Sequence, residues 1–133
     1  MTINLTWENY LGQGPHCETI YSLDREIIDA IVPANVPNGN YKLFQQNPMD
    51  KKYYVVYVGR VADRISDEGL RDRLKEHIGE WFGIMYFDFE VKDTPLQAYY
   101  QECLDYHNWQ PMYNSVHPAK LLGGDDKCPI CGE

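Results

Sequence analysis

The sequence predicts an α/β protein of the α+β kind: a small three-stranded antiparallel sheet flanked by helices and followed by a Cys-x-x-Cys tail. Three observations carry this. Two runs rich in β-branched and aromatic residues, Tyr41 to Gln46 and Tyr53 to Val58, are separated only by NPMDKK, which reads as a hairpin turn. A third run alternates Met85, Phe87, Phe89 and Val91 with Tyr86, Asp88 and Glu90, the period-two pattern of a strand. Segments with helical spacing precede, separate and follow these runs.

Each element has its own signal. Leu23, Ile27 and Ile31 form one stripe of a first helix, with Ser22 as its cap and Pro33 ending it. PANVPNGN then breaks the chain before the first strand. The second strand is expected to stop at Gly59. After an irregular stretch, Ser66 caps a helix from about Asp67 to Trp81 that buries Leu70, Leu74, Ile78 and Trp81. The last helix opens with Thr94 as cap, Pro95 at the first helical position and Gln97 three residues after the cap, the pattern of a capping box. Residues 1–37 read as a helical extension, 38–115 as the central domain and 116–133 as a tail.

At 133 residues, 44% of them hydrophobic, the chain suffices for one core. No apolar run of about 18 residues and no basic-apolar leader occurs, so a soluble, cytoplasmic protein without a membrane partner is expected. Four cysteines at 17, 103, 128 and 131 fit reduced thiols better than a secreted disulfide framework. A net charge of -8 argues against indiscriminate attraction to nucleic acid. The charge is uneven, however. Residues 51–75 hold seven of the twelve basic residues against four acids, and so carry +3. Lys52, Arg60, Arg64 and Arg71 in this segment are candidates for substrate contact, alongside the plainer reading of a solvated helix face.

Gly39-Asn40-Tyr41, followed after the hairpin by Tyr57-Val58-Gly59, resembles the paired motif of the GIY-YIG nucleases. LRDRLKEH, residues 70–77, is similar to that family's arginine-bearing helix, with His77 four residues beyond Arg73 and Arg71 as a rival for the arginine's role. ECLDYHNWQPMYN is similar to the family's stretch from acid to asparagine, with twelve residues from Glu102 to Asn114. The likeness covers about residues 38–115. Asn40 departs from it, standing where the family's first motif usually has an apolar residue. Arg73 also follows Tyr57 by sixteen residues, more than in compact members.

The resemblance implies a GIY-YIG-like fold and a metal-dependent endonuclease that hydrolyses DNA phosphodiesters with a single metal. Glu102 would hold Mg²⁺ or Mn²⁺, Arg73 would stabilise the charged phosphorane, and Tyr41 or Tyr57 would act as base or position the water. His77 would support them and Asn114 would complete the set. Gly59 would let backbone approach a phosphate beside Tyr57 and Arg60, or would simply end a strand. The alternative is a catalytically inactive interaction module on the same fold, which binds a protein partner or a second copy of itself.

The tail is read separately. Cys128 and Cys131 in KCPICGE have the form of a zinc knuckle, but two thiolates are half of a tetrahedral set. His16 and Cys17 are the first candidates to complete it, with His117 and Cys103 as rivals and a second subunit as another route.

Overall fold

Pairing between the two central strands organises the molecule. The computed structural model describes residues 2–4, 19–62, 69–120 and 126–132. In chain order its elements are β1 (Thr2–Asn4), β2 (Thr19–Ser22), α1 (Arg25–Ile31), β3 (Gly39–Gln46), β4 (Tyr53–Val61), α2 (Leu70–Glu76), β5 (Tyr86–Val91) and α3 (Pro95–Trp109). The α+β class is as expected. The strand number is corrected: the described residues form a five-stranded antiparallel sheet in the order β1-β2-β5-β3-β4. The segment before residue 38 is therefore not only helical, because β2 pairs with β5 and carries β1 outside it. Strands of three and four residues are too short to show a period of two in sequence.

Strand β4 does not stop at Gly59 but continues through Arg60 to Val61. Opposite it, Tyr41 pairs with Gly59 and Leu43 with Tyr57, while Phe44 pairs with Val55. Val56 is thus the extra residue of a β-bulge. The bulge changes which side chains share a face. Tyr53 and Val55 lie on the α3 side with Phe44 and Val58, whereas Val56 and Tyr57 pack with the helices of the other face. Beyond the bulge, Arg60 points toward α3.

Helices cover both faces. Ile28 and Val32 at α1, and Leu70 and Leu74 of α2, pack on Tyr41, Leu43, Val56, Val61 and Phe87. On the other side Tyr106 and Trp109 of α3 lie against Ile20, Phe44, Val55, Val58 and Tyr86. Residues 113 and 114 close the outer edge of β4, which blunts an otherwise exposed ladder. The Tyr113 N–H donates to the Val56 carbonyl at 2.8 Å, and Asn114 exchanges two side-chain bonds with the Val58 backbone at 2.8 and 3.0 Å.

The caps differ in detail from expectation. Asp24, not Ser22, caps α1 by accepting the Ile27 N–H at 2.9 Å. Helix α2 is shorter than the spacing suggests and begins after Gly69, whose φ is +61°. A side chain there would meet the Val36 carbonyl oxygen at 2.0 Å, and that oxygen already accepts the Leu70 N–H. Positions 66 and 67 lie outside the described residues. For α3 the Thr94 hydroxyl accepts the Gln97 N–H as expected, but the Gln97 side chain returns to the Asp93 N–H rather than to Thr94. Among the described residues no helix is long and apolar enough to cross a membrane.

A polar cleft of about 210 Å³ opens between α3 and the sheet, lined by residues that include Asn40, Lys42, Asp88, Glu90, Gln101 and Asp105. Burial raises the Asp105 carboxyl to about 6, against a smaller opposing pull from Lys42. The native state therefore binds this proton more tightly than the unfolded chain does. The group favours folding as pH falls from about 6 toward the ordinary aspartate value and opposes it above. Asp105→Asn is expected to stabilise the protein at pH 7 by about 1–3 kcal/mol and to flatten its stability between pH 4 and 6. Urea titrations of both proteins across that range check the sign.

Candidate functional site

The β3–β4 pairing brings the two motif tyrosines together. Tyr41 and Tyr57 sit on one face of the sheet with ring centroids 6.2 Å apart. Their neighbours come from the end of α2, where the chain leaves the helix at His77. The His77 ring lies 5.3 Å from that of Tyr41 and 5.0 Å from that of Tyr57. Trp81 stacks on His77, and Tyr113 stacks on Trp81.

One hydrogen-bonded chain runs through this cluster. The His77 Nε2 atom lies 2.8 Å from the Tyr41 hydroxyl, and its Nδ1 contacts the Glu80 carboxylate. An ionised carboxylate can only accept, so Nδ1 carries the proton and Nε2 receives the phenol's hydrogen. Burial, more than Glu80 offsets, holds His77 below its usual titration range and keeps it neutral. Tyr41 is 1% exposed, and burial raises its phenol far above the usual value. The Arg73 guanidinium works in the opposite direction on both Tyr41 and Tyr57. Arg73 is partly exposed and also bonds Glu76 at 3.0 Å.

Glu102 approaches from α3. Burial raises its carboxyl, while Arg60 and, more weakly, Arg73 pull it down; its charge in turn acts on both tyrosines. Arg60 donates to Glu102 Oε1 at 2.5 Å and to the Ala119 carbonyl at 2.5 Å, with its guanidinium 5.1 Å from the centre of the Tyr99 ring. The structure thus gathers Tyr41, Tyr57 and His77 in contact, with Arg73 near enough to act on both phenols, while Glu102 is held by Arg60 on the α3 side and reaches the phenols only through its charge. Asn114 is drawn to the backbone of β4, where both ends of its amide are used by Val58.

Several substrate-contact expectations need correction. Gly59 does not leave space for a phosphate: a Cβ there would stand 2.3 Å from the Tyr41 hydroxyl, which fills that space. Arg71 is no rival to Arg73, because its Nε and Nη2 atoms donate to the Val32 and Asp29 carbonyls at 2.6 and 2.8 Å, at the end of α1. Lys52 lies at the hairpin end of β4, roughly 26 Å along the strand from Arg60. Arg64 falls outside the described residues.

A second cluster forms where α3 ends and the tail returns. Ligand atoms of His107, His117, Cys128 and Cys131 all lie within 4.8 Å of one another. The two Nε2 atoms are 3.3 Å apart, and Cys131 Sγ is 3.4 Å from His117 Nε2. The His117 Nδ1 donates to the Pro118 carbonyl at 3.0 Å, which leaves the Nε2 lone pair to face the cluster. Burial opposes ionisation of the Cys128 thiol, but the Cys131 and Ile130 amides and the His117 ring outweigh it and lower the thiol to about 6. Cys103 stays outside the set, packed with Tyr99 against Cys128, and burial raises its thiol to about 12. His16 and Cys17 lie outside the described residues, and four donors are assembled without them.

No family model, curated protein or solved structure matches the chain. What the site can do rests on its geometry.

Two participants and one pairing escaped the sequence reading. His107 sits within a helix, ten residues before His117, and only that pairing of imidazoles ahead of the Cys-x-x-Cys step could have marked it. Glu80 follows His77 by three residues, a spacing common to ordinary surface pairs. The partner of Arg60 depends on the bulge. Gly59→Ala is expected to expel the Tyr41 phenol from its seat, breaking the bond to His77 and costing about 1–3 kcal/mol. Thermal unfolding, together with the absorbance titration of the tyrosines, checks both effects.

Proposed function

We propose that the protein is a metal-dependent endonuclease of the GIY-YIG type that hydrolyses DNA phosphodiester bonds in a reducing, cytoplasmic setting. The observation that carries this reading is the convergence of Tyr41, Tyr57, Arg73 and His77, with the Glu102 charge acting on the same phenols. A water molecule attacks phosphorus as the bond to the leaving oxygen breaks. Tyr41 takes the water's proton as its own passes to His77 Nε2, which Glu80 holds in the accepting tautomer. Arg73 faces the phenols and supplies fixed positive charge to the phosphorane oxygens. Glu102 is the carboxylate that would hold Mg²⁺ or Mn²⁺, an ion that supplies Lewis acidity at the phosphate. Asn114 positions the strand that carries Tyr57.

The tail cluster is read as a structural zinc centre. Two thiolates and two imidazoles make a full tetrahedral set with no position left for water. Zn–N and Zn–S bonds of ordinary length put neighbouring ligand atoms about 3.3–3.8 Å apart, and the two short separations at His117 fall in that range.

A second reading, an interaction module without catalysis, is favoured by one feature: Arg60 already neutralises Glu102 on a chain of net charge -8. Incubating the purified chain with supercoiled plasmid in Mg²⁺, Mn²⁺ or EDTA separates the two. Nicked or linear product only with the divalent ion supports the nuclease. Intact plasmid in every condition leaves the interaction module.

A further inference from the structure

The two centres are physically joined. Arg60 divides its donors between Glu102 and the Ala119 carbonyl, each at 2.5 Å, and Ala119 lies two residues beyond the cluster residue His117. The step between them is itself held, because Pro118 is buried and its carbonyl accepts from His117. A second link runs through the neighbouring residue of α3, where Cys103 packs on Cys128. The Arg60 side chain is 14% exposed, so few other partners compete for it. Its lower face is fixed by Tyr99.

We propose that Arg60 is a positioning residue through which the Cys/His metal centre holds Glu102 in place. This rests on reading the tail cluster as a metal centre and Glu102 as the working carboxylate. Metal at His107, His117, Cys128 and Cys131 fixes residues 117–119 relative to α3. The Ala119 carbonyl is then in register to hold one end of the guanidinium, and the other end sets the Glu102 carboxylate. Without the metal the tail loses its anchor, Ala119 moves off, and Arg60 and Glu102 become a pair with one restraint fewer. The effect belongs to geometry rather than to DNA affinity, since both of these Arg60 donors are engaged within the protein.

The decisive measurement follows the Arg60 guanidinium itself by ¹⁵N NMR on the full chain, with Arg60→Lys used to assign the signals. In zinc-loaded protein the Arg60 Nη signals are expected to be resolved and slow to average. After zinc is stripped with a chelator, or in Cys131→Ser, which alters an exposed ligand, they should average together while the amide signals of β3 and β4 stay dispersed. In the same samples kcat for plasmid nicking should fall about 10- to 100-fold with KM changed less than about twofold. Arg60 signals that are the same with and without zinc would overturn the proposal, as would a purified chain that takes up no zinc. If the loaded protein cuts no DNA, the nuclease reading fails, and the guanidinium signals still decide whether the tail holds Arg60.

Discussion

Glu102→Gln is expected to leave the fold in place and to lower the proposed metal-dependent cleavage by about a hundredfold or more, the scale on which a preorganised charged element acts. The substitution keeps the length of the side chain and an oxygen that can still accept from Arg60, so packing at the 13%-exposed site changes little. What disappears is the negative charge that a divalent ion requires. Arg73→Ala should cause a comparable loss by a different route, because the phosphorane then lacks its cation while metal binding survives. The two variants separate in a Mn²⁺ titration: Glu102→Gln should bind Mn²⁺ weakly and Arg73→Ala normally. Thermal unfolding of each variant guards against mistaking instability for lost chemistry. Cleavage by Glu102→Gln at the parent rate in saturating Mg²⁺ would end the catalytic assignment.

Stripping zinc should have the largest effect on stability. A metal bound at about a hundred times its dissociation constant contributes about 3 kcal/mol, which for a domain of this size is roughly 10 °C in Tm. Release should unfasten residues 126–132 and expose Cys128, now 3% exposed beneath Tyr99 and Cys103. Elemental analysis identifies the ligands. His107→Ala and Cys128→Ser should each lose bound zinc, whereas Cys17→Ser should retain one equivalent. Zinc lost from Cys17→Ser and retained in His107→Ala would return the site to the amino-terminal segment.

Local chemistry was legible in the sequence wherever it needed only neighbours. The Thr94-Pro95 start of α3, the hairpin at residues 47–52 and the helical placement of Arg73 four residues before His77 follow from spacing within one element. The convergence of Tyr41 and Tyr57 was implied by the resemblance alone, because a regular hairpin that pairs Gln46 with Tyr53 would set Tyr57 opposite Lys42 and on the other face, and the bulge at Val56 turns it to the side of Tyr41. What could not be read depends on distant chain. Strand β2 joins the sheet only because the edge of β5 is there to receive it. His107 meets Cys131 although 23 residues of sequence lie between them. Gly59 was mistaken for a substrate seat because sequence shows that a side chain is missing but not which neighbour uses the room.

The bulge at Val56 has a consequence for how this strand can change. Along a regular strand, Tyr57 and Arg60 already fall on opposite sides because they are three positions apart. The extra residue leaves that division as it is: Val55 still stands opposite Phe44 and Tyr57 opposite Leu43, with Val56 taken out of the count between them. It works like a leap day, absorbed so that the dates on either side stay in step. Deleting Val56 should therefore remove a core side chain but keep the phenol toward His77 and the guanidinium toward α3. Deleting a residue between Tyr57 and Arg60 should instead turn the guanidinium to the His77 side, because one step along a strand reverses every later side chain. Variants of this protein should gain or lose a residue at the bulge more readily than between those two positions.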